Sequence, residues 1–117
     1  MPSELPGSLP VSLSAADDAV ERLRSDLEAR VREYRPKDDL SALDKAFRFA
    51  QQWHEGQMRD SGEPYMVHPA TVALILADMR MDLVAIQTGL LHDVVEDTSV
   101  TVDQVRKEFG EDVARSV

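Results

Sequence analysis

No cysteine occurs in this chain, so disulfides and thiolate zinc sites are both excluded. Aromatic residues are scarce, at 5% of positions, although the apolar fraction is ordinary for a globular protein. Basic residues are outnumbered, 13 against 22 acidic ones, for a formal net charge of −9. That balance argues against a general binder of nucleic acid or of an anionic membrane, either of which needs a basic patch. It leaves room for a small phosphorylated substrate, because a metal ion and one or two arginines invert the field locally. Long apolar runs are missing too. The longest, near residues 71–77, is far too short to span a membrane. No basic segment followed by an apolar run opens the chain, so no signal peptide is read and a cytoplasmic location is expected. At 117 residues the chain allows one domain at most.

What is present reads as helix throughout. Residues 1–13 are rich in proline and serine and are expected to form a disordered leader. Ser14 is placed to cap a first helix, along which Ala16, Val20, Leu23, Leu27, Val31 and Tyr34 recur at helical spacing. Residues 35–39 break it. Ser41 followed by Asp44 predicts a second cap, with Leu43, Ala46, Phe47, Ala50 and His54 on one face of the helix behind it. His54 reads as a packed imidazole. Residues 59–64 are turn chemistry. His68-Pro69 opens a third helix, with proline at the first helical position. Val72, Leu74, Ile75, Leu76 and Met79 should bury most of that helix. Asp82 is set to cap a fourth. Thr101 with Gln104 predicts a capping box for a short helix ending at Gly110, and a further helix begins at Glu111. No strand is expected. The fold class is all-α.

The fourth helix carries the chemistry. At 100° per residue, Gly89, His92, Asp93 and Glu96 fall together, with Asp97 at the edge. Leu83, Val84, Ile86, Leu90, Leu91, Val94 and Val95 occupy the other side, so the helix should be buried. Ionisable groups buried there need a partner. A divalent metal held by His92, Asp93 and the more distant His68 is one solution, and the donor set suits manganese, iron or zinc. A buried imidazole paired with its neighbouring carboxylate is the other, and spacing leaves both open. Glu96 and Asp97, one turn beyond His92 and Asp93, can orient or deprotonate a water near such a metal. Acids at a helix C-terminus oppose the dipole, which weakens a purely solvent-facing reading of that pair. Arg59 can clamp a phosphate oxygen through its planar fork, or it can pair on the surface with Asp60 or Glu63.

The segments HEGQMRDSGEPYMVHPATVA and GLLHDVVEDT resemble the N-terminal hydrolase domain of the RelA/SpoT family, the bifunctional enzymes that make and destroy the alarmone (p)ppGpp. The turn, the His-Pro helix start and the HDxxED helix stand in family order at family spacing, from about Leu43 onward. The resemblance implies an all-α, HD-domain-like helical bundle over residues 14–117. It implies hydrolysis of the 3′-diphosphate of (p)ppGpp to GDP or GTP and pyrophosphate with Mn²⁺, although another divalent metal would serve. His68, His92 and Asp93 match metal ligands, and Glu96 and Asp97 match the acidic pair that activates water. Arg59 and Ser61 match substrate-binding positions. Asp60 departs from the pattern, because lysine is common there. The family's fourth ligand, an aspartate on a later helix, would lie beyond Val117. The chain is therefore expected to be incomplete at its C-terminus, to be impaired in activity, and to self-associate through exposed apolar surface. Two alternatives are a non-catalytic helical dimerisation or regulatory module, and an HD phosphohydrolase acting on another nucleotide.

Overall fold

A computed structural model describes the backbone of residues 4–117 and the side chains of residues 18–117. Six helices are described: α1 (Glu4–Tyr34), α2 (Ser41–Trp53), α3 (Val67–Asp78), α4 (Leu83–Asp97), α5 (Val102–Phe109) and α6 (Glu111–Ser116). Among the described residues the only β-type pairing is an isolated bridge between Met58 and Pro64. The all-α class read from the sequence therefore holds. Of the leader expected over residues 1–13, residues 1–3 and every side chain lie outside the described residues; the backbone of residues 4–13 is helical, the start of α1, so Ser14 lies within that helix and does not cap it.

Helix α4 is the central element and packs on α2, α3 and α6. Its aliphatic face, Ile86, Leu90, Leu91 and Val94, is fully buried. Leu43, Ala46, Phe47 and Ala50 of α2 join it in one core, as do Val20, Leu27 and Val31 of α1. Each of these sets repeats at three or four residues, which puts it on one side of its helix.

Two predicted caps are found. Asp82 accepts from the Ala85 N–H at 2.8 Å, and Thr101 and Gln104 form the reciprocal capping box. Two others are displaced. Leu40, not Ser41, caps α2, while the Asp39 carboxylate accepts from the Ser41 N–H at 2.9 Å. Helix α3 starts at Val67, so Pro69 is its third residue and not its first. The first few N–H groups of a helix have no partner within it, so proline loses nothing there.

The burial expected of α3 also needs correction. Its buried side is Pro69, Ala70, Ala73, Leu74 and Ala77, whereas Ile75 and Met79 are 53% and 63% exposed. Apolar residues surround this helix, so hydropathy alone does not select the inner face. The small residues face inward because α1 and α4 both press on α3.

The joint between α3 and α4 is short and held from outside. Arg80 turns the chain with φ of 57°, an uncommon conformation for a residue with a side chain. Arg30 of α1 pairs with Asp78 at 3.0 Å, and the Tyr34 hydroxyl donates to the Met81 carbonyl at 2.7 Å.

Candidate metal centre

Helix α4 presents His92, Asp93 and Glu96 on its open face, and the start of α3 brings His68 across. His68 Nε2 lies 3.4 Å from Asp93 Oδ2, and His92 Nδ1 lies 3.4 Å from Asp93 Oδ1. His92 Nε2 lies 3.3 Å from Glu96 Oε2. His92, Asp93 and Glu96 offer ligand atoms all within 4.8 Å of one another. Donors bound about 2.1 Å from a single cation stand roughly 3–3.5 Å apart. Each pair is near that spacing but uses a different atom of His92 or Asp93, so a shared ion requires the side chains to turn toward it. One nitrogen of His92 can face an ion while the other meets a carboxylate, which fixes the tautomer and the ring in metal sites.

The cluster is not buried as the helix pattern suggested. The side chains of His68 and His92 are 44% and 51% exposed, and that of Asp93 is 19% exposed. They stand at one end of an open cleft of ≈ 260 Å³ whose walls include Val72, Leu76 and Gly89. Burial therefore does not force a partner on these groups. Their convergence from two helices is the observation that matters. The cleft exists because α3 and α4 approach closely at Gly89. A Cβ there would come 2.8 Å from Leu76 Cδ1 and 3.4 Å from Val72 Cγ1. A larger hollow of ≈ 440 Å³ is lined by residues of α1 and α2. Of its three arginines, Arg24 and Arg48 are already paired with Glu21 and Arg32 donates to the Asp38 carbonyl at 2.9 Å, and no imidazole lines it.

Glu96 and Asp97 have different neighbours. Glu96 faces His92, whereas Asp97 Oδ2 accepts from the Tyr65 hydroxyl at 2.9 Å. Burial, the Asp97 acceptor and the charge of Asp93 push the Tyr65 hydroxyl up to about 12, so it remains a donor at neutral pH. Beneath Tyr65 lies His54, with ring centroids 4.7 Å apart. His54 is a packed imidazole, as expected, but Tyr65 was not singled out by spacing. The available signal was its position between Pro64 and His68, on the approach to the α3 start.

Arg59, Asp60 and Ser61 are exposed at the tip of a hairpin-like loop. The loop is closed by Arg59 N–H to Glu63 O at 2.9 Å and Tyr65 N–H to Gln57 O at 2.9 Å. Gly62 completes the turn with φ of 90°, which disfavours any residue with a side chain. Among the described residues, the Arg59 guanidinium forms no ion pair with Asp60 or Glu63. No hydrogen bond or ion pair joins Arg59 or Ser61 to the imidazole and carboxylate cluster.

Residues 46–117 match the family model described as HD domain. The chain belongs to the HD domain family. HD domains are metal-dependent, and the His92, Asp93 and Glu96 grouping of this HD domain has the donors for an ion. The chain is 43% identical over 104 residues to a "GTP pyrophosphokinase" of Myxococcus xanthus, covering 89% of this chain and 13% of the relative. It is 48% identical over 85 residues to a "Guanosine-3′,5′-bis(diphosphate) 3′-pyrophosphohydrolase" of Vibrio cholerae, covering 73% of this chain and 12% of the relative. It is 45% identical over 87 residues to the "Bifunctional (p)ppGpp synthase/hydrolase SpoT" of Escherichia coli, covering 74% of this chain and 12% of that protein. These relatives bear out the RelA/SpoT resemblance read from the motifs. The chain spans only 12–13% of the length of those three curated relatives.

Proposed function

We propose that this HD domain hydrolyses the 3′-diphosphate of (p)ppGpp, giving GDP or GTP and pyrophosphate, with Mn²⁺ held by His68, His92 and Asp93. The observation that carries the reading is that Asp93 lies 3.4 Å from the imidazoles of both His68 and His92, with Glu96 beside His92. The names of the relatives supply the substrate. A divalent cation in that place supplies positive charge against the diphosphate and makes water more acidic. Glu96 and Asp97 take the proton from the attacking water as the bond between phosphorus and the ribose 3′-oxygen breaks. The proton taken from the water returns to that oxygen, which leaves as the ribose 3′-hydroxyl, and pyrophosphate departs. Arg59 holds a phosphate oxygen through its fork, and Ser61 donates from the same turn. Asp60 adds a negative charge beside Arg59 and lowers the affinity of the loop for phosphate.

The reading places the chain in the cytoplasm, where nucleotides of this kind are found, with no nucleic acid or membrane partner. The net charge of −9 supports the first exclusion. No helix is long and apolar enough to cross a membrane among the described residues.

The test is incubation of the chain with ppGpp with and without Mn²⁺, followed by chromatographic separation. GDP and pyrophosphate should form only with the metal and not with Asp93→Asn. Turnover of another nucleotide but not of ppGpp would point to a different HD phosphohydrolase. A second reading, a non-catalytic dimerisation or regulatory module, draws on the exposed Ile75 and Met79, one turn apart on α3. Light scattering decides it: a dimer lost in Ile75→Asp, with no ppGpp turnover, would favour that role.

A further inference from the structure

We infer that Tyr65 is a positioning residue whose hydroxyl holds the Asp97 carboxylate at the edge of the centre, with His54 fixing the ring from below. What Asp97 does in the reaction rests on the hydrolase reading above. The contact itself does not.

Asp97 is the last residue of α4. A carboxylate at that end opposes the helix dipole, so local structure gives it no reason to stay put. Thr98 caps the helix through its own hydroxyl to Val94 O at 2.6 Å and leaves Asp97 without help. The donor comes from a different part of the chain. Tyr65 Oη lies 2.9 Å from Asp97 Oδ2. A phenol is protonated at neutral pH and donates one hydrogen bond in a direction set by its ring.

The ring itself is held on several sides. The His54 imidazole stacks beneath it at 4.7 Å, tilted by 36°. The edge of His68 stands 6.2 Å away at 69°. The Tyr65 N–H is bonded to Gln57 O at 2.9 Å, and the Gln57 side chain returns to His54 Nδ1 at 3.3 Å. His54, Gln57 and Tyr65 thus form a closed circuit. His54 is 2% exposed, and its Nε2 has no hydrogen-bond partner. A buried polar atom without a partner is costly, and an aliphatic side chain would fill the space without that penalty. What histidine adds is a flat ring that carries a polar handle for Gln57. The arrangement is a rigid support for a single hydroxyl, and that hydroxyl faces Asp97.

The test uses the whole chain with tyrosine labelled at Cζ. It contains two tyrosines, so Tyr34, bonded to Met81 O, is an internal reference. Asp97→Ala should move the Tyr65 Cζ resonance and leave that of Tyr34 in place. If the Tyr65 signal does not respond, the inference is overturned, whatever the protein catalyses. In the second arm, Tyr65→Phe keeps the stacked ring and removes the donor. It should lower kcat for (p)ppGpp roughly tenfold, in the range of other outer-sphere orienting groups, with KM and Mn²⁺ binding unchanged. A rise in KM at constant kcat would make Tyr65 a substrate contact and sink the positioning role, as would an unaltered kcat. If the unaltered chain shows no turnover, the hydrolase reading fails, and the Cζ arm alone decides the inference. The same arm decides it if Tyr65→Phe does not fold, because Asp97 is exposed and its truncation leaves the core intact.

Discussion

The His68 imidazole, from the start of α3, meets the Asp93 carboxylate of α4 with Nε2 3.4 Å from Oδ2. Asp93 is the carboxylate that both imidazoles face, and His68 is the one donor that α3 adds to those of α4. Removing His68 should therefore leave donors of one helix only, and removing Asp93 should take away the group the two imidazoles share. His68→Ala and Asp93→Asn should each weaken Mn²⁺ binding by more than the roughly 10- to 100-fold typical of outer-sphere partners. Isothermal titration calorimetry on the chain reads this directly. Equal affinities for the variants and the parent chain would remove His68 and Asp93 from the ligand set.

Much of this arrangement is legible in the sequence. The stripe of His92, Asp93 and Glu96 follows from 100° per residue, and the caps at Asp82 and Thr101 follow from hydrogen-bonding chemistry confined to one turn. Other features depend on contacts between distant segments. The inner face of α3 is chosen by the pressure of α1 and α4, which a helix apolar on every side does not reveal. The Tyr65–Asp97 contact joins a loop to a helix end, and no periodicity links them. The openness of the cluster was hidden for a similar reason. A buried helix can still have one face on a cleft, as α4 has beside Gly89.

Arg59 is exposed at the loop tip and is not committed to Asp60 or Glu63. Arg59→Ala should leave the melting temperature unchanged and weaken binding of ppGpp, measured by fluorescence titration with a labelled nucleotide. Arg59→Lys should recover only part of the loss, because an ammonium cannot make the paired contacts of a guanidinium. Full recovery by lysine would show that charge alone matters there.

Gly89 sits where α3 and α4 approach. Gly89→Ala removes a helix-interior glycine, worth about 1 kcal/mol, but drives a Cβ against Leu76 Cδ1. That atom is the end of a flexible, half-buried side chain and can swing into the cleft. Stability should thus change by less than about 1 kcal/mol, while the cleft narrows and nucleotide affinity falls. Gly89→Val, with no such escape, should cost about 1–3 kcal/mol by overpacking. Thermal unfolding and titration of both variants separate the two effects.

Asp82 anchors the first turn of the helix that bears the cluster. Asp82→Ala removes the acceptor for the Ala85 N–H and should cost about 1 kcal/mol. The corresponding fall in melting temperature is about 4 °C. Asp82→Ser should retain most of the stability, because serine is a comparable cap.

Glu21 joins α1 to α2 through Arg48 and pairs also with Arg24 on its own helix. Hydrogen bonds from Arg48 first and Arg24 second hold its carboxyl at about 2, well below the usual 4.5. A depressed carboxyl stabilises the fold above its unfolded value, and that contribution is lost as pH falls from about 4.5 toward 2. The side chain is 43% exposed, so screening reduces the effect to about 1 kcal/mol or less. Glu21→Gln should lower stability at pH 7 and should flatten acid unfolding between those two values. Urea melts across the range would show it.

Among the described residues α1 sends no donor to the cluster, yet Arg30 and Tyr34 grip the bend at Asp78 and Met81 from which α3 and α4 diverge. Those two helices are laid out as the arms of a pair of tweezers, with His68 on one and His92 on the other and the Arg80 turn as the joint. The gap between the two imidazoles is therefore set partly at the far end, where α1 holds the joint, and not only by the groups that line it.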